Sequence, residues 1–253
     1  MPIINKAHIL DTKKGFPLVL IHGFLGSNDL WKYQIKAFRK NFRVIAIELP
    51  GYGKNYKLKP LQSVPAFANY VLQILKQLKI KEFYLIGHSM GGMIAQEIAI
   101  KNKNLKKVVL HATGPQGEMP ERFETLKVSR QKLKKNGIKK QGHFIASTWF
   151  VKGSKHQNFK ICKNSYEKVK LKTADYSMLA MQKWDGRKNL KKIKTPTLIT
   201  WGDKDKSYGR PQVMKLKKNI KKSKLKVFKN CAHNVHLEKV NDFNRSVMSF
   251  LNY

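Results

Sequence analysis

The chain has 253 residues, of which 42% are hydrophobic, and this suffices for one large domain or for one domain with an insertion. No stretch approaches the roughly 18 consecutive apolar residues that a membrane span needs. Residues 1–15 lack the apolar region and the small-residue cleavage site of a signal peptide. We therefore expect a soluble cytoplasmic protein without a membrane span.

The chain is strongly basic, with a formal net charge of +37 at pH 7. Such an excess is typical of proteins that bind nucleic acids or acidic membranes, but it also arises from a compositional bias spread over solvated surface. Only seven of the 52 basic residues are arginine, the side chain that reads bases and binds phosphates in bidentate contacts. We favour the compositional bias and expect no specific nucleic-acid partner. The alternative, a polyanion-binding module, predicts tight, sequence-specific binding that survives physiological salt.

The two cysteines, Cys162 and Cys231, show neither a CxxC pair nor metal-ligand spacing. We expect both to be reduced and buried as small hydrophobic residues. The sequence also lacks the G-x-G-x-x-G pattern of dinucleotide-binding turns. It therefore predicts neither a metal nor a cofactor.

Six short, mostly apolar runs predict strands, at residues 17–21, 43–48, 83–87, 107–111, 196–201 and 225–228. In the helical pattern before the third strand, apolar side chains recur on one face, with Ser63 as the expected N-cap and Pro65 in the first turn. A later pattern places Val213, Leu216 and Ile220 on one face, so the lysines around them are expected on the outer face. The alternation of strands and helices predicts an α/β protein with a mostly parallel, doubly wound sheet.

The regular alternation fails between about residues 115 and 192, a segment longer than a simple crossover. Three helical patterns follow one another in it, at residues 122–137, 143–151 and 176–184. We predict that residues 115–192 form a helical cap over the strand ends, where ligands of open α/β sheets bind. Residues 1–114 and 193–253 then form the core domain.

A serine flanked by glycines lies in LIGHSMGGM (85–93), directly after a predicted strand and before a predicted helix. Gly87 and Gly91 allow a turn so tight that a Cβ at either position would clash with the neighbouring strand or helix. The turn forces Ser89 into a strained conformation that exposes its hydroxyl above the sheet edge. G-x-S-x-G in this setting is the pattern of a nucleophile elbow, so we predict Ser89 as a nucleophile.

A serine hydroxyl is a poor nucleophile unless a base takes its proton and a carboxylate orients that base. The fifth predicted strand is followed by two candidate acids, Asp203 and Asp205. The sixth is followed by two candidate bases, His233 and His236. They occur in the chain order acid, then histidine, each just past a strand end. The residues thus predict a Ser-Asp-His triad with two candidates for each partner of the serine.

Together these motifs resemble the α/β-hydrolase superfamily, in its serine-nucleophile branch, over essentially the whole chain. The matching segments are HGFLGS (22–27), ELPGYG (48–53), GHSMGG (87–92), WGDKD (201–205) and CAHNVHLE (231–238). The resemblance implies an α/β-hydrolase fold with Asp205 as the acid and His233 as the base, and it leaves His236 as a packing or supporting residue. Glu48 stands where the superfamily more often has aspartate, which touches no catalytic role.

The resemblance also implies an oxyanion hole formed by two backbone N–H groups, those of Phe24 and Met90. In the implied mechanism Ser89 attacks an ester-type carbonyl and His233 takes its proton. Asp205 orients the imidazole, and water then cleaves the acyl-enzyme.

The segments STWFVKGS (147–154) and MQKWDGRKNLKKIKTPTLI (181–199) are similar to the cap end of 3-oxoadipate enol-lactonases and related esterases. This similarity implies a small carboxylic ester or lactone as the substrate, and we expect a monomer or a homodimer. Six side chains are candidates for an apolar acyl pocket, unless they only pack the cap onto the sheet: Phe144, Trp149, Phe150, Met178, Met181 and Trp184.

Other reactions share the same triad within this superfamily, so C–C bond hydrolysis, perhydrolase chemistry and a menaquinone-pathway lyase are alternatives. HGFLGS resembles the lyase, but GHSMGG lacks the tyrosine expected before its serine. A ligand receptor that keeps a residual triad is an alternative from another class. It predicts near-single-turnover chemistry together with ligand-dependent partner binding.

Overall fold

The structure, a computed structural model, describes residues 8–252, and none of the helices in that range combines the length and apolar composition needed to cross a membrane. Short 3-10 helices connect some of the regular elements. In chain order, the strands and α-helices are β1 (Ile9–Asp11), β2 (Phe16–Ile21), α1 (Lys32–Phe38), β3 (Phe42–Ile47), α2 (Val64–Gln77), β4 (Phe83–His88), α3 (Met90–Lys101), β5 (Leu105–His111), α4 (Leu126–Ser147), α5 (Phe159–Tyr166), α6 (Leu171–Gln182), β6 (Thr197–Gly202), α7 (Arg210–Asn219), β7 (Ser223–Phe228), α8 (Val235–Glu238) and α9 (Val240–Asn252).

The strands form one sheet in the order β1-β3-β2-β4-β5-β6-β7. Strands β2 to β7 run parallel, and β1 pairs antiparallel with β3 at one edge, where Ile9 faces Ile47. All six predicted strands are present, and the predicted α/β architecture with a mostly parallel sheet is confirmed. The short strand β1 was not predicted, because three half-buried residues give no clear period.

Two hydrophobic cores cover the two faces of the sheet, and alternate residues of each central strand point into different cores. On one face, Phe67 of α2 and Ile94 of α3 pack against the strands. On the other face, Phe38 of α1 and Phe243 of α9 do so. Burial on both faces explains why these strands read as continuous apolar runs.

The helix signals predicted from the sequence are present in α2 and α7. Ser63 is the N-cap of α2, and its side chain accepts a hydrogen bond from the Ala66 N–H at 3.2 Å. At α7, Val213, Leu216 and Ile220 are buried while the surrounding lysines lie at the surface or are half-buried. The dense lysine pattern there is thus the outer face of a packed helix.

Residues 115–192, hereafter the inserted segment, contain α4, α5 and α6. Helix α4 joins two of the predicted helices across a break at Gly137, whose backbone has φ 74° and ψ 172°. It packs against α5 and α6, and Arg130 of α4 binds Asp175 of α6 through two hydrogen bonds. Helix α5 was not predicted. The division into core and cap stays a prediction.

Candidate active site

Ser89 lies between the end of β4 and the first turn of α3, and its backbone has φ 55° and ψ −116°. A positive φ in a non-glycine residue costs of order 1–3 kcal/mol and persists only where the surroundings enforce it. The Ser89 N–H donates to the His111 carbonyl at 2.9 Å, and the Ser89 carbonyl accepts from Thr113 Oγ1 at 2.9 Å. Its backbone therefore has the strained conformation expected of a nucleophile elbow.

Three glycines allow the backbone to pack this closely around the serine. A Cβ on Gly87 would lie 2.2 Å from the carbonyl oxygen of Gly91, and a Cβ on Gly91 would lie 2.4 Å from that of Ile21. A Cβ on Gly23 would lie 2.8 Å from the Cβ of Ser89. The turn after β2 is therefore in direct contact with the serine only because residue 23 has no side chain.

Asp205 follows β6, and His233 lies between β7 and α8. His233 Nδ1 is 2.9 Å from Asp205 Oδ2, and both side chains are buried. The other carboxylate oxygen, Oδ1, accepts from the N–H of Ser207 at 2.7 Å and from the N–H of Tyr208 at 3.2 Å. The carboxylate is thus fixed by backbone donors on one side and by the imidazole on the other.

Ser89 and His233 line the same cavity, but no Ser89–His233 hydrogen bond is formed within residues 8–252. Catalytic hydrogen bonds are often loose before substrate binds. The ring of Tyr208 stacks on that of His233 with centroids 5.8 Å apart. Burial raises the pKa of Tyr208, and the nearby side chains of Ser89 and Thr113 oppose the rise. Sequence reasoning missed Tyr208, whose only signal is its place three residues after Asp205.

The two backbone groups predicted for the oxyanion hole have no hydrogen-bond acceptor in the part of the chain that the structure describes. Met90 is the first residue of α3, so its N–H has no partner within the helix. Phe24 directly follows Gly23, which contacts Ser89. Both N–H groups are therefore available to bind a developing oxyanion.

The turn after β2 is held by a buried network around His22. His22 Nδ1 donates to the Gly23 carbonyl at 2.9 Å, and Nε2 accepts from the Leu49 N–H at 3.1 Å, so the neutral ring fits both bonds. Burial lowers the pKa of His22 to about 4. Glu48, 3.7 Å from His22 Nε2, accepts from the Asn28 N–H at 2.8 Å. His22 is therefore a structural support of the turn.

Three further buried histidines, His88, His111 and His236, pack behind His233, and their ring nitrogens lie within 4.8 Å of one another. His111 Nε2 is 2.9 Å from His236 Nδ1, and His111 Nδ1 is 3.0 Å from the hydroxyl of Thr200. Burial lowers the pKa of all three rings, that of His236 to about 3. Both nitrogens of His111 are thus already bonded. Among the described residues, neither ring nitrogen of His88 nor Nε2 of His236 has a hydrogen-bond partner, and the three rings pack against one another.

The cavity at Ser89 is small, about 20 Å³, which is room for about one water molecule. Its walls come from the strand ends and from the inserted segment. A molecule larger than water therefore needs more room than the cavity has in this structure. The lining residues are Phe24, Ser89, Ser207, Tyr208 and His233 from the strand ends, and Met119, Arg122, Leu126, Ile145, Trp149 and Met181 from the inserted segment.

Two of the six side chains predicted for the acyl pocket, Trp149 and Met181, line this cavity. Met178 is fully buried in the core of the inserted segment. The side chains that do not line the cavity are Phe144, Phe150, Met178 and Trp184.

Each of the remaining aromatic side chains has another environment. Phe144 is 45% exposed at the surface. Phe150 stacks on His156 with ring centroids 4.6 Å apart. Trp184 Nε1 donates to Glu97 Oε1 at 3.0 Å, so this ring is tied to α3. The helical period alone did not reveal which face of each helix meets the strand ends.

A larger cavity, of about 640 Å³, is lined in part by Ser27, Glu48, Tyr56 and Lys168 and by none of the predicted site residues. This cavity is separate from the one that holds Ser89 and His233.

The sequence model of the family described as alpha/beta hydrolase fold matches residues 17–240. The chain belongs to this family. The match covers strands β2 to β7 except Phe16, together with the elbow and the inserted segment, and it confirms the superfamily predicted from the motifs.

Individual relatives of this α/β hydrolase are similar over nearly the whole chain. It is 26% identical over 263 aligned residues to the AB hydrolase superfamily protein YisY of Bacillus subtilis (strain 168), with 96% of this chain and 94% of YisY covered. It is 25% identical over 259 residues to the (E)-2-((N-methylformamido)methylene)succinate hydrolase of Acinetobacter baylyi, with coverages of 97% and 94%. The solved enol-lactonase from Burkholderia xenovorans superposes with a TM-score of 0.90 at 20% identity, over 98% of this chain and 96% of that one. This last similarity shows a shared fold alone.

Proposed function

We propose that this α/β hydrolase cleaves small carboxylic esters or lactones through an acyl-enzyme on Ser89. The observation that carries the proposal is the 2.9 Å contact of His233 Nδ1 with Asp205 Oδ2, on the wall of the cavity that holds Ser89. This contact engages one ring nitrogen and leaves Nε2 to take the serine proton. A buried acid, a base and a strained serine in one cavity are the parts that acyl transfer uses.

Each step has a named group. Ser89 Oγ attacks the carbonyl carbon while His233 Nε2 takes its proton, and Asp205 stabilises the imidazolium that forms. His233 then protonates the departing alkoxide, and the acyl group remains attached to Ser89 as an ester. A water molecule, deprotonated by His233, attacks this ester and regenerates the serine.

The negative charge of both tetrahedral intermediates lies on the former carbonyl oxygen. The N–H groups of Phe24 and Met90 bind this oxygen in the proposal. Their lack of other acceptors among the described residues supports the assignment. The N-terminus of α3, which begins at Met90, adds a favourable helix dipole.

We also propose that the inserted segment, residues 115–192, is the cap of the active site and selects the substrate. Its support is the cavity wall, more than half of whose side chains come from this segment. By its name, one relative hydrolyses a substituted succinate, and the enol-lactonase that shares the fold acts on an enol-lactone.

The test is hydrolysis of p-nitrophenyl esters of increasing acyl length by the wild type, Ser89→Ala and Ser207→Ala. Ser207 is the matched control, because it lines the same cavity and only its backbone N–H is bound to Asp205. We expect many turnovers by the wild type and by Ser207→Ala, and none above background by Ser89→Ala. The preferred acyl length then measures the room under the cap.

Two other results would overturn the proposal. Hydrolysis that persists in Ser89→Ala would show that another group carries the reaction. A single turnover by the wild type, followed by a stable acyl adduct, would favour the receptor alternative.

A further inference from the structure

A charged side chain lies on the wall of the otherwise largely apolar cavity. Arg122, in the loop between β5 and α4, lines the cavity together with Ser89 and His233. Its side chain is half-buried. Burial lowers the pKa of Arg122 to about 10, so the guanidinium remains protonated at neutral pH.

The protein partners of Arg122 are neutral. Its Nη1 donates to the Glu124 carbonyl at 2.5 Å and to the Ser129 hydroxyl at 2.9 Å, and its guanidinium lies 4.0 Å from the centre of the Phe123 ring. Within residues 8–252, no carboxylate oxygen lies within 4.0 Å of the guanidinium nitrogens, and Nε and Nη2 form no hydrogen bond. Those two nitrogens carry three of the five donors of a guanidinium.

Acidic residues flank Arg122 in the chain, and both are bound by other groups: Glu121 Oε2 accepts from Gln212 Nε2 at 2.9 Å, and Glu124 is held by three side chains. Glu124 Oε2 is 2.6 Å from the ammonium of Lys132, and its Oε1 accepts from Gln141 Nε2 at 2.9 Å and from the Ser129 hydroxyl. Glu124 therefore fixes the start of α4 and attracts Arg122 from nearby, with the Ser129 hydroxyl bonded to both, but its carboxylate forms no hydrogen bond with Nε or Nη2 of Arg122.

Four of the other six arginines bind a carboxylate in this structure. Most of the basic residues are lysines. The planar guanidinium of arginine, in contrast, binds a carboxylate through two parallel N–H donors. Arg122 differs from the majority of the other arginines in having no such acid. The pairs that form are Arg43 with Asp11, Arg130 with Asp175, Arg187 with Asp185 and Arg245 with Asp242.

We propose that Arg122 binds a carboxylate of the substrate through Nε and Nη2. The substrate is then an ester or lactone that also carries a free carboxylate, such as a half-ester of a dicarboxylic acid; this assignment rests on the proposed function. The apolar side chains around Arg122 limit its contact with water, which strengthens an ion pair formed there. Arg122 thereby determines specificity and takes no part in proton transfer.

The kinetic test compares an anionic substrate with a neutral one of the same shape. Mono-p-nitrophenyl glutarate carries a terminal carboxylate, and p-nitrophenyl 5-methylhexanoate replaces it by an isopropyl group. Both are assayed at about 0.15 M salt, which screens attraction by the surface lysines. The proteins are the wild type, Arg122→Gln, Arg122→Lys and the control Arg130→Gln, which removes an equal charge from α4 outside the cavity lining.

The ratio of kcat/KM for the anionic ester to that for the neutral ester is the quantity that decides. We expect the wild type and Arg130→Gln to prefer the anionic ester. In Arg122→Gln this ratio should be about 10- to 100-fold lower than in the wild type. Arg122→Lys keeps the charge but loses the two parallel N–H donors, so its ratio should lie between those of the wild type and Arg122→Gln. An unchanged ratio in both Arg122 variants, or a wild type that prefers the neutral ester, would overturn the proposal.

A binding measurement separates this site from the catalytic proposal. Calorimetric titration of Ser89→Ala with succinate, glutarate and adipate should detect binding of at least one of them, and adding Arg122→Gln should weaken it at least about tenfold. This comparison holds even if no ester is hydrolysed, in which case only the proposed function fails. If none of the three dianions binds to Ser89→Ala, or if the added substitution changes nothing, the carboxylate site is wrong.

Discussion

His233 Nδ1 lies 2.9 Å from Asp205 Oδ2, whereas Asp203, two residues earlier, accepts at 3.4 Å from the backbone N–H of Cys231. The two aspartates therefore give a matched test of which one is the acid. Asp205→Asn should lower kcat by about 10³–10⁴-fold, because an amide favours the wrong tautomer of His233. Asp203→Asn should keep kcat near the wild-type value.

Steady-state kinetics on the best p-nitrophenyl ester measures both variants, and circular dichroism checks that each one is folded. Equal losses in the two variants, or a larger loss in Asp203→Asn, would contradict the assignment of Asp205.

The packing at the elbow predicts a large effect of one methyl group. A Cβ on Gly87 would lie 2.2 Å from the Gly91 carbonyl oxygen and 2.9 Å from the Ala95 Cβ. Gly87→Ala should lower the free energy of unfolding by about 3 kcal/mol or more, since neither helix α3 nor strand β4 can move freely.

Gly137→Ala is the control for backbone strain without a clash. Gly137 has a φ of +74°, and a Cβ there would meet nothing within 4 Å. We expect it to lower the free energy of unfolding by about 1–3 kcal/mol, the cost of placing alanine at a positive φ with an extended ψ of 172°. Urea denaturation measures both, and a Gly87→Ala variant as stable as Gly137→Ala would refute the packing account.

The buried histidines predict a loss of stability in mild acid. Burial lowers the pKa of His22 from 6.5 to about 4 and that of His236 to about 3. Between pH 6.5 and these values the unfolded chain binds protons that the folded chain does not, so the free energy of unfolding falls as the pH falls. His22 alone accounts for roughly 3 kcal/mol of this fall.

Urea denaturation at several pH values between 7.5 and 4.5 measures this dependence. His22→Asn keeps an N–H donor for the Gly23 carbonyl and removes the titrating ring, so its stability should depend less steeply on pH over this window. The same slope in the variant and the wild type would show that His22 makes no such contribution.

The two cysteines are expected to be unreactive in the folded protein. Cys162 and Cys231 are buried free thiols, and burial raises the pKa of both, that of Cys231 to about 12. An aromatic disulfide reagent at about pH 8 should modify neither thiol in the native protein and both after unfolding in urea. Rapid reaction of either thiol in the native state would show that its surroundings open readily.

The parallel sheet and the candidate triad were accessible from the sequence, because their signals are local. Continuous apolar runs mark strands that are buried on both faces, and the glycines around Ser89 reflect backbone contacts that any side chain would break. Asp205 and His233 follow strand ends, where a parallel sheet gathers residues that are distant in sequence.

The cavity wall was less accessible, because it depends on how the inserted segment folds over the strands. The break at Gly137 and the unpredicted helix α5 change which helix faces point inward. Phe144 therefore lies at the surface, while Arg122 and Tyr208, both from loops, reach the cavity. A helical period assigns residues to a face of one helix but not to a neighbour in space.

The central claim is that Ser89 forms an acyl-enzyme, and mass spectrometry of the protein after reaction with a fluorophosphonate ester tests it most directly. This reagent phosphonylates a serine that is activated by a neighbouring histidine. We expect a single adduct on the peptide that contains Ser89, formed at a normal rate in Ser207→Ala and strongly slowed in His233→Ala. An adduct on another residue, or an equal rate in His233→Ala, would contradict the account.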